Sequence, residues 1–213
     1  ELTCADLACG SGHILNECFD LLYQCYVEEG YSRLQAVEDI FHYNLTGIDL
    51  DTRAKQLSQF ALLLKACQKD NSFADAHSMP KVYDMPERYK DKERLASNLS
   101  KFIMGSNKEA IEELSNAICL MDDAQNLGSI MKFNISERTR NIVAVRMDEY
   151  EKENFLSENI TGLMPYMRII LSLTQKYSAL VMNPPYMGGG NMNATLSKYV
   201  KDNYEEGKAD LAT

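Results

Sequence analysis

The sequence predicts an α/β protein built on a doubly wound, mainly parallel sheet. Three observations carry that prediction. A short apolar segment runs into Cys9-Gly10-Ser11-Gly12 and then into an apolar helical pattern. A second short segment, Leu45-Thr46-Gly47-Ile48-Asp49, is followed by Asp51 and another helical pattern. An apolar run, Ala179-Leu180-Val181-Met182, ends on Asn183-Pro184-Pro185-Tyr186. Strand, glycine loop, helix, strand and helix in succession build a sheet covered by helices, and ligands of such sheets sit beyond the carboxyl ends of the strands.

In chain order, residues 2–8 read as the first buried strand. The helix after the glycine loop is marked by Ile14, Leu15, Cys18, Phe19, Leu22 and Tyr26, spaced to share one face. Gly30 closes it. Residues 45–49 form the second strand, and Asp51 is placed to cap a helix running from Thr52 to about Cys67. Residues 80–84 are a candidate third strand. Residues 86–160 break the alternation: they are rich in Lys, Glu, Asn and Asp, with helical segments at 87–102 and 108–121. Leu163, Met167, Ile170 and Leu171 mark a further helix through 163–177. The four-residue run at 179–182 suits a central parallel strand, and a polar helix follows at about 194–204. The expected organisation is a first part of the core at 1–85, a mainly helical insertion at 86–160 and the rest of the core at 161–213.

The chain has 213 residues, enough for one domain with a large insertion and for burial of roughly 70% of its unfolded surface. Apolar residues make up 45% and charged residues 25%, ordinary values for a globular protein. The cysteines (Cys4, Cys9, Cys18, Cys25, Cys67, Cys119) contain no CxxC pair and no histidine at zinc-finger spacing, so no metal is expected and a reducing, cytoplasmic setting is read. No run of apolar residues is long enough to cross a membrane, and no signal peptide opens the chain. Glu1 stands where a start Met would be, and a glycine loop follows within ten residues, so the chain reads as part of a longer protein. The net charge of −9 counts against this segment gripping DNA unaided.

Three motifs carry chemistry. In Asp6-Leu7-Ala8-Cys9-Gly10-Ser11-Gly12-His13, the glycines allow a sharp turn and close approach of a ligand. The third glycine of the dinucleotide fingerprint is missing, which argues against a pyrophosphate and leaves room for an amino-acid moiety. A tight turn that binds nothing is the alternative. Asp49, closing the second strand, can accept bonds from both hydroxyls of a ribose. Its alternative role, capping the next helix, is better filled by Asp51. In Asn183-Pro184-Pro185-Tyr186, the Asn183 side-chain oxygen and the Pro184 carbonyl can accept the two N–H bonds of a conjugated amine. Its lone pair then points at a methyl donor. The prolines stiffen the loop, so the acceptors are preorganised. Tyr186 offers a stacking face worth roughly 1–3 kcal/mol, against the few kcal/mol that extruding a base costs. A proline-rich turn is the alternative.

Taken together, Asp6–His13, Asp49 and Asn183–Tyr186 resemble motifs I, II and IV of amino-group DNA methyltransferases. The fuller pattern, with DLACGSGHIL, GIDLD, NLGSIMK (Asn126 to Lys132), VMNPPYMGG and KADLAT, resembles the large adenine methyltransferases of BREX phage-defence systems, with type I and type IIG restriction-modification enzymes as relatives. The resemblance implies a Rossmann-like S-adenosylmethionine-dependent methyltransferase fold, truncated at both ends and carrying a helical insertion. It implies that Asp6, Ala8, Cys9, Gly10, Gly12, Asp49 and Leu50 bind S-adenosylmethionine, and that Asn183, Pro184, Pro185 and Tyr186 are catalytic. The implied partners are double-stranded DNA with a flipped-out adenine, met through the full-length protein, and other defence-system subunits, with no membrane.

Gly12 and Asn183 lie 171 positions apart, far more than one strand and helix need. The residues at 86–160 are therefore read as an insertion, and a motif III residue is not placed. The segment is expected to fold but not to methylate DNA by itself. An NPPY loop on this fold also serves methyltransferases of RNA bases and of protein glutamine. Cytosine N4 is a sister substrate, and a non-catalytic cofactor-binding scaffold is a different class. His13, His42 and His77 share no ligand spacing. Lys198, Lys201 and Lys208 are diluted by Asp202, Glu205 and Glu206. Gly188-Gly189-Gly190 reads as a lid.

Overall fold

Short strands at four places in the sequence meet in one parallel sheet. In the computed structural model, which describes residues 2–75, 78–153, 156–183 and 194–204, β1 (Cys4–Asp6), β2 (Leu45–Asp49), β3 (Lys81–Asp84) and β4 (Ala179–Leu180) lie in the order β3-β2-β1-β4. Ala5 pairs with Thr46 on one side and with Leu180 on the other. The chain walks outward from β1 to β3 and then returns to the opposite side of β1. The gap between β1 and β4 is therefore the switch point where open α/β sheets leave a crevice.

β1 is shorter than the seven residues the sequence suggested. Past Asp6 the chain turns: the Ala8 N–H donates to Asp6 Oδ1 at 3.1 Å, and the Cys9 N–H crosses to the Ile48 carbonyl at 3.0 Å. The helix α1 (His13–Glu28) buries Leu15, Phe19 and Leu22. It ends two residues before Gly30, whose φ of 88° lets the Tyr31 N–H reach the Tyr26 carbonyl at 3.0 Å and the Gly30 N–H reach Val27 at 3.1 Å. The short helix α2 (Arg33–Asp39) is capped by Ser32 and runs through a wider turn at Ile40–Asn44 into β2. There the Asn44 amide donates to the Leu2 carbonyl at 2.6 Å, tying β2 to the start of β1. Asp51 caps α3 (Thr52–Lys69) through the Arg53 N–H at 2.7 Å, as the sequence indicated.

The core of this unit gathers Leu15 and Phe19 of α1, Leu62 and Ala66 of α3, Leu45 of β2 and Val82 of β3. Phe41 bridges Phe19 and Phe73, with ring centroids 5.7 and 5.5 Å away. Each ring buried this completely contributes roughly 1.5–3 kcal/mol over leaving it in water. Gly47 is part of the same packing. A Cβ there would stand 2.6 Å from Leu15 Cδ1 and 3.2 Å from Val82 Cγ1, so any larger residue would make these packed side chains shift.

The second compact unit holds Met85–Gln175 and α9. Its helices are α4 (Leu95–Phe102), α5 (Lys108–Met121), α6 (Ala124–Leu127), α7 (Glu137–Glu151), α8 (Glu158–Thr174) and α9 (Ala194–Asn203). Its described residues contain no strand. This compact unit runs on through Gln175, because α8 packs with α4 and α7. α4 begins later than the sequence suggested, after a 3-10 turn at Lys92–Arg94 whose start Asp91 caps by accepting the Arg94 N–H. Tyr150 donates to the Phe102 carbonyl at 2.7 Å and so satisfies the end of α4. The NLGSIMK segment has a structural partner. The Lys132 N–H donates to the Tyr199 hydroxyl at 2.7 Å, and Tyr204 donates to the Ile130 carbonyl at 2.8 Å. Leu196 and Val200 of α9 are buried.

The run at 179–182, whose composition suits a central parallel strand, forms a shorter strand than its four apolar residues suggested. Only Ala179–Leu180 is strand, it pairs on one side with β1, and Leu180 and Val181 are 54% and 45% exposed. The reason is its position: among the described residues β4 is the edge of the sheet.

Candidate active site

β1, β2 and β3 each end in an aspartate, and the parallel arrangement brings all three to the carboxyl edge of the sheet. Asp6 is nearly inaccessible. Burial pushes its carboxyl above the usual range, the bond from the Ala8 N–H works against that, and the neighbouring Asp49 charge adds to the rise. Asp49 stands one strand over and is half-buried. Its Oδ2 accepts the Gly10 N–H at 2.7 Å and its Oδ1 accepts the Asp51 N–H at 2.9 Å. One carboxylate thus holds the glycine loop after β1 and the turn into α3. Each carboxylate oxygen keeps a further lone pair for a ligand hydroxyl.

Asp84 was missed in the sequence. It lies in register with Asp49, accepts the Thr52 hydroxyl at 2.7 Å and pairs with the Lys55 ammonium at 2.9 Å. Burial raises its pKa, but Lys55 and Thr52 outweigh that and hold it below the usual range. The signal that could have found it is the repetition itself: a strand ending in Asp at the third position of a pattern already seen twice.

Within the loop, the Gly12 N–H donates back to the Cys9 carbonyl at 2.8 Å, closing the turn. Gly10 has φ 52° and Gly12 φ 84°, values that side chains rarely adopt. A Cβ on Gly10 would meet nothing within 4 Å, so the space above that residue is open. The Cys9 thiol is buried, and burial first, then the Asp49 and Asp6 charges, push it up to about 12. It stays protonated and is no nucleophile. The thiol donates to the Gly10 carbonyl at 3.9 Å, and the Cys9 carbonyl closes the turn. Ala8 and Leu50 are both half-buried and flank the two carboxylates in sequence.

Asn183 follows β4. The Val181 N–H donates to the Ala5 carbonyl at 2.9 Å, so the chain leaves the sheet beside β1 and on the same edge as the glycine loop. Asn183 is exposed there. Pro184, Pro185 and Tyr186, and the glycines at 188–190, lie outside the described residues, as does His77. The structure therefore brings together Asp6, Ala8, Cys9, Gly10, Gly12, Asp49 and Leu50 around two strand ends, with Asn183 at a third. Among the described residues no group of three His, Cys, Asp or Glu side chains is placed to hold a metal, and no helix is long and apolar enough to cross a membrane.

A parallel sheet that brings a glycine loop and a strand-end carboxylate to one edge places the chain among the doubly wound α/β proteins. Within that class the chain belongs to the Eco57I restriction-modification methylase family, whose sequence model matches residues 43–213. Over 99% of its length the chain is 32% identical to the adenine-specific methyltransferase PglX of Lacticaseibacillus casei (strain Zhang). Over 97% it is 31% identical to the adenine-specific methyltransferase BrxX of Escherichia coli O9:H4 (strain HS). It spans 18% and 19% of the length of those two relatives. Methylase family membership implies a methyl donor.

Proposed function

We propose that this chain is catalytic-core sequence of a DNA methyltransferase that transfers a methyl group from S-adenosylmethionine to adenine N6, within a phage-defence or restriction-modification system. The observation that carries the reading is the bond between the Gly10 N–H and the Asp49 carboxylate beside the strand leading to Asn183. The residues present fit the cofactor. Gly10 has open space where a side chain would stand. Asp49 has lone pairs for ribose hydroxyls. Asp6 and Asp49 place negative charge at the edge where a sulfonium cation would bind, and such a field favours a cationic ligand. S-adenosylmethionine supplies an electrophilic methyl group when bound.

The protein's own part is orientation. The adenine amine shares its lone pair with the ring and is a poor nucleophile. The Asn183 side-chain oxygen, with the Pro184 carbonyl next in sequence, accepts its N–H bonds and turns the lone pair out of conjugation. These acceptors act most strongly on the charge that develops at nitrogen during transfer, so they lower the barrier more than they tighten binding. Tyr186 stacks the extruded base. The proposed partners are double-stranded DNA and other subunits of the defence system, in the cytoplasm.

The test is sequencing that detects modified bases in host DNA, with and without the full-length gene. N6-methyladenine at one motif, lost with the gene, supports the proposal. N4-methylcytosine would assign the sister substrate, and no DNA modification would turn the reading toward RNA, protein amides or a scaffold.

A further inference from the structure

The two glycines of the loop differ in what they face. Above Gly10 there is open space, whereas a Cβ on Gly12 would stand 2.3 Å from Ser58 Oγ, 2.9 Å from Ser58 Cβ and 3.1 Å from Ser58 Cα. Ser58 is fully buried on α3. Its hydroxyl could rotate away, but its Cβ and Cα are fixed by the helix. That hydroxyl has no ordinary hydrogen-bond partner, and the Cys9 thiol of the loop is the group that feels it. Further along the same interface, α1 is pinned to α3. Lys65 donates to the Asn16 carbonyl at 2.9 Å and pairs with Asp20, which also binds Lys69 at 2.9 Å. These contacts hold α1 and the start of the loop against α3.

We infer that Ser58 is a positioning residue for the glycine loop. It sets the height of the turn through contact with Gly12, and it presents the Gly10 N–H to Asp49. At Gly12 the left-handed φ of 84° already favours glycine, and α3 beneath it adds a steric reason, whereas Gly10 is the glycine that faces the ligand. The inference rests on reading this loop as the S-adenosylmethionine site.

The experiment compares Gly12→Ala, Ser58→Gly, the double variant Gly12→Ala/Ser58→Gly, Gly10→Ala and Gly10→Ala/Ser58→Gly in the full-length protein. S-adenosylmethionine affinity is read by calorimetry and Tm in the absence of cofactor. Gly12→Ala is expected to weaken affinity at least tenfold and to lower Tm. Adding Ser58→Gly should recover at least threefold in affinity and part of the Tm, because the atoms nearest the new methyl are gone. Gly10→Ala should weaken affinity with a smaller Tm change, and Ser58→Gly should not restore it. A double variant at Gly12 no better than Gly12→Ala in either readout overturns the inference, as does equal rescue of Gly10→Ala. If the wild-type protein binds no S-adenosylmethionine, the proposed function falls. Tm recovery in the double variant then decides alone whether Ser58 seats the loop.

Discussion

The Asp49 carboxylate accepts the Gly10 backbone N–H at 2.7 Å across thirty-nine residues of sequence, while its other oxygen accepts the Asp51 N–H at 2.9 Å. A side chain on one strand thus fixes the backbone of the loop that follows its neighbour. Both bonds are charge-assisted, the stronger kind of hydrogen bond.

Replacing Asp49 by Ala removes both anchors and leaves two N–H groups without their acceptor. The expected loss in S-adenosylmethionine affinity is about 1.5–3 kcal/mol, roughly ten- to a hundredfold. Calorimetry on the full-length protein measures it. Unchanged affinity would remove Asp49 from the site.

Asn183→Ala in the full-length protein should lower the methylation rate by about 10²–10³ or more, the scale set by loss of one preorganised transition-state partner. S-adenosylmethionine affinity should stay within about twofold, since Asn183 acts on the acceptor amine. Parallel loss of both would mean that the substitution disturbs the fold. Near-normal methylation would mean that another group orients the amine.

Gly47→Ala should destabilise the sheet unit by about 1–3 kcal/mol, the cost of overpacking a filled core. The new methyl would stand 2.6 Å from Leu15 Cδ1 and 3.2 Å from Val82 Cγ1. Thermal unfolding reads the effect, and an unchanged Tm would show that α1 can retreat from β2 at no cost.

Met104 has φ 50° at the end of α4, where the Gly105 N–H closes on the Ser100 carbonyl at 3.0 Å. A left-handed conformation costs a non-glycine residue about 1 kcal/mol, and glycine is the usual occupant of this position. Met104→Gly should therefore raise the stability of the helical unit, and a lower Tm would show that the exposed methionine makes contacts worth more than the strain.

Asp20 gives a pH dependence. Burial raises its pKa, but bonds from Lys65 and Lys69 overcome that and hold it below the usual range. A lowered folded pKa means that the stabilisation is present above the unfolded value, about 3.9, and is lost as pH falls through the folded value. The groups are partly solvated, so the contribution is about 1 kcal/mol at most. Asp20→Asn should lower Tm at pH 7, and the gap to wild type should close as pH is taken below 4. A gap independent of pH would place the effect in packing.

The sequence alone carried the local rules. Gly30 near the end of α1, Asp51 as a cap and the helix at 108–121 were legible because each depends on residues within one or two turns of chain. The positions of the glycine loop and of Asp49 at strand ends were legible because they follow from short apolar runs that stop at a turn. What only the tertiary structure decided involves residues brought together from a distance. Asp84 gains meaning from its register with Asp49. The crowding at Gly47 comes from Leu15 and Val82, and the crowding at Gly12 from Ser58. The exposure of Leu180 and Val181 follows from β4 standing at the edge of the sheet among the described residues, which the apolar run does not announce. Capping and periodicity are local free energies that a sequence displays directly. Steric contact across a sheet or between helices depends on how distant segments pack, and one sequence read from end to end does not contain those distances.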